Sequence, residues 1–124
     1  MKKNFLKDKK AIICKKESGE DTGFGAPDIG YRLISPSPLW CYAKQLSQQL
    51  IFQALQWGQE EQRLFVFNYN EKITVQDTYI LYRDEWYQVT RVDTEEDYKG
   101  DMFVYVKAVD RKKASTFEIL PYIG

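Results

Sequence analysis

The sequence predicts a mainly β fold, a small barrel or sandwich of five to seven strands with one helix or helical loop between the second and third main strands. Three observations carry this reading. Aromatic residues make up 15% of the chain, and together with the β-branched residues they favour pleated, half-buried strands. Short apolar runs recur between clusters of Gly, Pro, Asn, Asp and Ser, which punctuate strands rather than helices. One stretch breaks that pattern: Gln45–Gln59 holds six glutamines and no Asp, Glu, Lys or Arg in a chain that is 29% charged. With 124 residues there is material for one modest core, hence one domain.

Residues 1–9 read as a basic N-terminal arm. Residues 10–109 form the single β domain, and residues 110–124 are an apolar C-terminal tail. Lys10–Lys16, KAIICKK, is a short strand. Glu17–Gly30 has four glycines and a proline and forms a long turn; its GFG lacks the helix, Lys and Ser/Thr of a phosphate loop. Tyr31–Ile34 is a short strand that Pro36 and Pro38 interrupt, because proline cannot donate to a ladder. Leu39–Lys44 follows as an alternating strand.

Ser47 is the expected N-cap of a helix over Gln48–Trp57, ended by Gly58. At 100° per residue, Leu46, Leu50, Ile51, Ala54 and Trp57 share one face, and Gln48, Gln49, Gln53 and Gln56 the other. Phe52 falls among the glutamines, where the packing of the domain does not explain it; it reads either as an isolated exposed aromatic or as a contact for a neighbouring subunit. Glu60–Tyr69 is the clearest strand; Phe65 and Phe67 lie on one face and Leu64 and Val66 on the other, the pattern of a central or covered strand. Ile73–Gln76 leads into Thr78–Tyr82, and a tight Arg83–Glu85 connection joins it to Trp86–Val92 as a hairpin. Met102–Val109 closes the sheet, and Arg111–Lys113 break the strand pattern. The following Phe117, Ile119, Leu120 and Tyr122 are apolar enough to dock, either on the domain itself or on another protein.

Eighteen basic and eighteen acidic residues cancel, which argues against binding nucleic acid by bulk electrostatics. The charges are nevertheless segregated. Residues 1–16 carry seven lysines, among them Lys2, Lys3 and Lys7, against one aspartate, while Asp93, Glu95, Glu96 and Asp97 cluster near the other end. Opposite patches suit head-to-tail association of identical chains. These residues, with Phe117, Leu120 and Tyr122, are the candidate partner contacts.

Histidine is absent from the sequence, which removes the commonest general base and metal ligand. Cys14 and Cys41 lie in apolar strand patterns and are expected as buried, reduced thiols. The acidic cluster lacks the spacing of a calcium loop and reads as a hairpin tip. These features predict a protein that is not an enzyme, with no cofactor and no metal site. No apolar run reaches 18 residues, so an intracellular protein without a transmembrane helix is expected.

The order of elements resembles the phage head-tail adaptor family, the head-completion or stopper (head-closure) proteins of long-tailed phages and prophages. The resemblance runs from about Lys10 to Val109: an N-terminal strand, the loop GEDTGFGAPD, a strand with WCYAKQLS, the Gln-rich segment, EEQRLFVFNY, and ITVQDTYILYRDEWYQVTRV. Its most specific part is Ile73–Val92, with Asp77 before a strand and Trp86, Tyr87 and Val89 after a short hairpin. The arm and the tail are longer than in the family outline, and Gln62 replaces a frequent His.

The resemblance implies a structural virion protein of the head-tail connector. It would form a ring of identical chains below the portal and adaptor, closing the DNA-filled head and offering the tail a docking surface. Packaged double-stranded DNA would pass through the channel without sequence specificity, and no membrane partner is implied. The location would be the head-tail interface, and the host cytoplasm during assembly. The long loop of such proteins corresponds to about Ala43–Glu60, so Gln45, Gln48, Gln49, Phe52, Gln53 and Gln56 become candidate channel or inter-subunit residues. Two alternatives remain: a tail-completion or tail-terminator protein, and a small-barrel module that stacks single-stranded nucleic acid on aromatic side chains.

Overall fold

The structure, a computed structural model, describes residues 6–18, 29–56, 62–94 and 100–123. It is a closed six-stranded barrel, mainly β, with one short helix between barrel strands. The strands are β1 (Lys9–Ser18), β2 (Ile29–Leu33), β3 (Leu39–Gln45), β4 (Arg63–Asn68), β5 (Thr78–Tyr82), β6 (Glu85–Thr94), β7 (Asp101–Ala108) and β8 (Glu118–Leu120). Helix α1 spans Gln48–Gln56, and a single turn, α2, spans Arg111–Ala114. Among the described residues no helix is long and apolar enough to cross a membrane.

The barrel runs β1-β3-β4-β7-β6-β5 and back to β1, every neighbouring pair antiparallel. Strand β1 makes the closure. One of its edges pairs with β5, Ile12 opposite Leu81; the other pairs with β3 near Lys9–Ala11 and with β2 from Cys14 to Ser18. Strands β2 and β3 thus act as one strand with a break. Between Leu33, opposite Cys14, and Leu39, opposite Ala11, the chain sets Ile34–Pro38 against only Ile12 and Ile13. Pro36 and Pro38 fall in this bulged segment, where no ladder donor is needed. With β2 and β3 counted as one, α1 lies between the second and third main strands, as the sequence predicts.

Alternation fills the barrel. Ala11, Ile13, Cys41, Phe65, Phe67, Ile80, Tyr82, Tyr87, Val89, Met102, Val104 and Val106 point inward and are buried, with Ile34 and Ile73 added from connections. Phe65 makes edge contacts with Tyr82 and Tyr87 at centroid separations of 5.2 and 5.9 Å, a preferred aromatic arrangement. A bulge at Thr90 shifts the β6–β7 register between Val89 and Arg91, so Tyr87 and Val89 before it and Val92 after it all meet the core. Val66, on the opposite face of β4 from the two phenylalanines, is also fully buried, consistent with a strand flanked by β3 and β7.

A second, smaller cluster lies outside the barrel wall. Cys14, Tyr31 and Tyr79 are buried there with Ile12, Leu33, Trp86, Val109 and Phe117 around them. The tail that the sequence left open therefore docks on the domain itself. Phe117 stacks on Tyr31 (3.9 Å, 26°) and meets Tyr79 and Trp86 edge-on at 5.6 and 5.3 Å. Strand β8 then runs parallel to β2, Tyr31 opposite Ile119. Gly30 admits the strand closely, because a Cβ there would stand 2.8 Å from Leu120 Cγ. The expected break at Arg111–Lys113 is helical, its first turn capped by Asp110, whose carboxylate accepts from the Lys112 N–H at 3.0 Å.

Candidate functional site

At one rim of the barrel β1, β4 and β6 begin and β3, β5 and β7 end, and here the β3–β4 connection projects. Its base is pinned by backbone: the Leu46 N–H donates to Gln62 O (3.1 Å) and the Gln62 N–H to Val106 O (2.8 Å), with Leu46 buried. Gln45, at the end of β3 opposite Arg63, is exposed; beyond the anchor Gln48, Gln49, Gln53 and Gln56 are exposed as well, and Phe52 is 65% exposed. The first turn of α1 carries no acid and its last turn no base, so the helix presents amide groups and one aromatic ring without formal charge. The expected helix end at Trp57 and Gly58 lies outside the described residues.

Beside this helix Arg63 continues the inward phase of Phe65 and Phe67 and lies over the barrel mouth, 5.4 Å from the Tyr82 ring centre and 5.6 Å from that of Tyr87. Arg83 packs against the same Tyr82 at 5.1 Å. The Tyr87 hydroxyl donates to Glu85 Oε2 at 2.9 Å, and Arg111 donates to Glu85 Oε1 at 3.2 Å. Those two bonds, with the nearby guanidinium charges, hold the Glu85 carboxyl below its usual range. Burial, helped by the bond to Glu85, pushes the Tyr87 phenol up. The hairpin connection is shorter than expected: only Arg83 and Asp84 turn the chain, with φ of 51° and 64°, and Glu85 already belongs to β6. Two positive-φ residues give the twist that a two-residue hairpin needs. A groove of about 650 Å³ opens between this turn and α2, floored by Trp86 and Val109 and edged by Arg83 and Arg111.

The candidate partner contacts divide. Lys2, Lys3, Glu95, Glu96 and Asp97 lie outside the described residues. Lys7 is engaged within the molecule, bonded to Asp101 at 2.7 Å. Phe117 is spent on the internal aromatic cluster and Leu120 on Gly30, while Tyr122 receives the Lys72 ammonium at 5.6 Å. None of these three tail residues is held out for a partner in the free chain; the exposed apolar tail residues are Ile119 and Ile123, at 43% and 70%.

Sequence reasoning passed over Arg63, although its signal was present: the alternation of EEQRLFVFNY puts it in phase with Phe65 and Phe67. Cys14 and Cys41 are free and fully buried, and desolvation pushes their thiols up to about 11 and about 12, the opposite of an activated nucleophile. Among the described residues no three cysteine or carboxylate side chains converge as a metal site. No protein-family model matches this chain, and neither does any curated protein.

Proposed function

We propose that this chain is a structural subunit of a phage head-tail connector, a ring that closes the DNA-filled head and receives the tail. The observation that carries the reading is the charge-free run Gln45–Gln56, the end of β3 and helix α1 on a closed barrel, with Gln45, Gln48, Gln49, Gln53, Gln56 and Phe52 exposed. A surface along which duplex DNA must slide gains from having no phosphate-neutralising charge, because each ion pair releases counterions and holds the DNA in place. Amide side chains keep such a surface wetted without holding phosphate. Phe52 supplies the apolar contact that a neighbour in a ring would bury. Segment Gln45–Gln59 rearranges on assembly and faces the channel or the adjacent subunit.

The test is removal of Gln48–Trp57 from the chain in an otherwise complete phage. The shortened protein is expected to stay folded by circular dichroism, while electron microscopy finds heads that have lost their DNA. Fully infectious particles from that deletion refute the proposal. Fractionating isolated capsids and tails distinguishes a head-completion from a tail-completion role. The nucleic-acid alternative draws on exposed Trp40, over which Lys10 sits at 4.6 Å. A titration with a single-stranded oligonucleotide at low salt decides it; no binding removes that reading.

A further inference from the structure

We propose that the C-terminal segment Phe117–Tyr122 is an exchangeable strap, able to leave its own socket and fill the same socket on a second copy of this chain. The socket is the groove between Tyr31, Tyr79 and Trp86, continued by the open edge of β2 at Gly30–Arg32.

The fastening is separate from the barrel. No strap residue belongs to the barrel core, so withdrawing the strap leaves the six-stranded closure and its packing intact. The connection from Asp110 to Thr116 is lightly held: α2 buries no residue, and among the described residues its ion pair to the barrel is that of Arg111, itself 90% exposed, with Glu85. Strand β8 pairs with β2 over three positions, at the outer edge of the sheet.

The socket also demands an occupant. With the strap gone, Tyr31, now 2% exposed, and the ring of Trp86 would face water. The strap of an identical chain fits by construction: Phe117 would stack on Tyr31, Leu120 would occupy the space left by Gly30, and Arg32 Nη1 would donate to the Pro121 carbonyl as it does now at 3.0 Å. Exchange rebuilds every contact it breaks, which makes it a low-cost route to association.

Reach is sufficient. The residues between Val109, fixed by its N–H to Trp86 O, and Phe117 extend to about 25 Å, comparable with a small-domain diameter of ~30 Å. A second observation favours a like chain as the occupant: β8 leaves Ile119 and Ile123 exposed, and a strap crossing between two copies puts both side chains at the seam. The inference does not rest on the connector reading, since it requires only identical chains.

The test uses two full-length variants, Lys16→Cys and Ile119→Cys, both at exposed positions and therefore neutral for folding. Lys16 is opposite Tyr31 and Tyr31 opposite Ile119, so an exchanged strap places the two thiols about two strand spacings apart, roughly 9.5 Å. The variants are mixed at high concentration and treated with a bis-maleimide of that span; the native thiols, being buried, stay silent. Expected is a covalent product of the two unlike chains that falls about tenfold when the first cysteine is moved from Lys16 to Lys44, exposed at the end of β3 and away from β2, because only the exchanged strap sets Ile119 beside Lys16. The proposal is overturned if the double variant K16C/I119C links only within one chain and the mixture gives no unlike-chain product. It is overturned equally if Lys44→Cys in place of Lys16→Cys gives as much unlike-chain product.

Discussion

Replacing Phe117 by alanine measures how firmly the tail is docked. Truncating a core phenylalanine costs about 3–5 kcal/mol, but Phe117 is only half-buried, so its transfer contribution is about half that of a full burial, ~1–1.5 kcal/mol. The stack on Tyr31 and the edge contacts with Tyr79 and Trp86 add about 0.5–1.5 kcal/mol each at most, and sharing one ring they add less than their sum. The expected loss is therefore about 2–3 kcal/mol. Urea unfolding followed by tryptophan fluorescence, at micromolar concentration to keep chains apart, reads it, with Phe65→Ala as the reference inside the barrel. Emission from Trp86 should also shift to the red in the native baseline, because Phe117 covers that ring. The m-value should fall slightly, since a strap already loose in the native state leaves less surface to expose. A loss below about 0.5 kcal/mol with unchanged native emission refutes the reasoning, for the ring would then contribute nothing where it sits.

Other expectations follow from the same geometry. Phe52→Ser should move stability by less than about 0.5 kcal/mol, as its ring is largely in water, yet lower the yield of assembled particles; an unaffected yield removes Phe52 from the interface. Gly30→Val should destabilise by about 1–3 kcal/mol by pushing Leu120 out of register, and truncating Leu120 to alanine in the same chain should recover part of that loss. Cys14 and Cys41 should react with an aromatic disulfide reagent only as fast as the protein unfolds, and a fast native phase contradicts their burial. The alkaline limit follows from the raised acids: thiols moved from 9.0 to about 11 and 12 and the Tyr31 phenol from 10.0 to about 12 ionise first in the unfolded chain. Their contribution is whole below about pH 9 and drains away as pH rises towards 12, so urea midpoints should fall across that window. Midpoints constant from pH 9 to 11 rule this out.

Local signals in the chain were strong where neighbours in sequence are neighbours in space. TYILY and WYQVTRV announce the β5–β6 hairpin, Pro36 and Pro38 announce the break between β2 and β3, and alternation around Cys14 and Cys41 announces buried thiols. The candidate helix was legible from its period, and the exposed side of it from its glutamines. Strand β8 was not legible, because three residues are too few for alternation and their partner, β2, lies far away in the chain. The second aromatic cluster was hidden for the same reason: Tyr31, Tyr79 and Trp86 come from three separate strands, each of which uses an aromatic residue as any strand would, and Phe117 comes from the connection just before β8. Barrel closure through β1 and β5 likewise leaves no trace in either strand alone.

That closure bears on how the chain folds. Strand β1 can pair with β2 as soon as residue 33 or so has been made, but its other edge must wait for Thr78–Leu81, and the β4–β7 and β6–β7 ladders wait longer still. Contacts so remote in sequence carry the loop-closure entropy that makes β topologies slow to fold. During synthesis, the apolar stretch KAIIC of β1 therefore keeps one edge unpaired until Thr78–Leu81 has been made. Lysines on both sides of AIIC, at positions 9, 10, 15 and 16, keep that waiting edge soluble until its partner arrives.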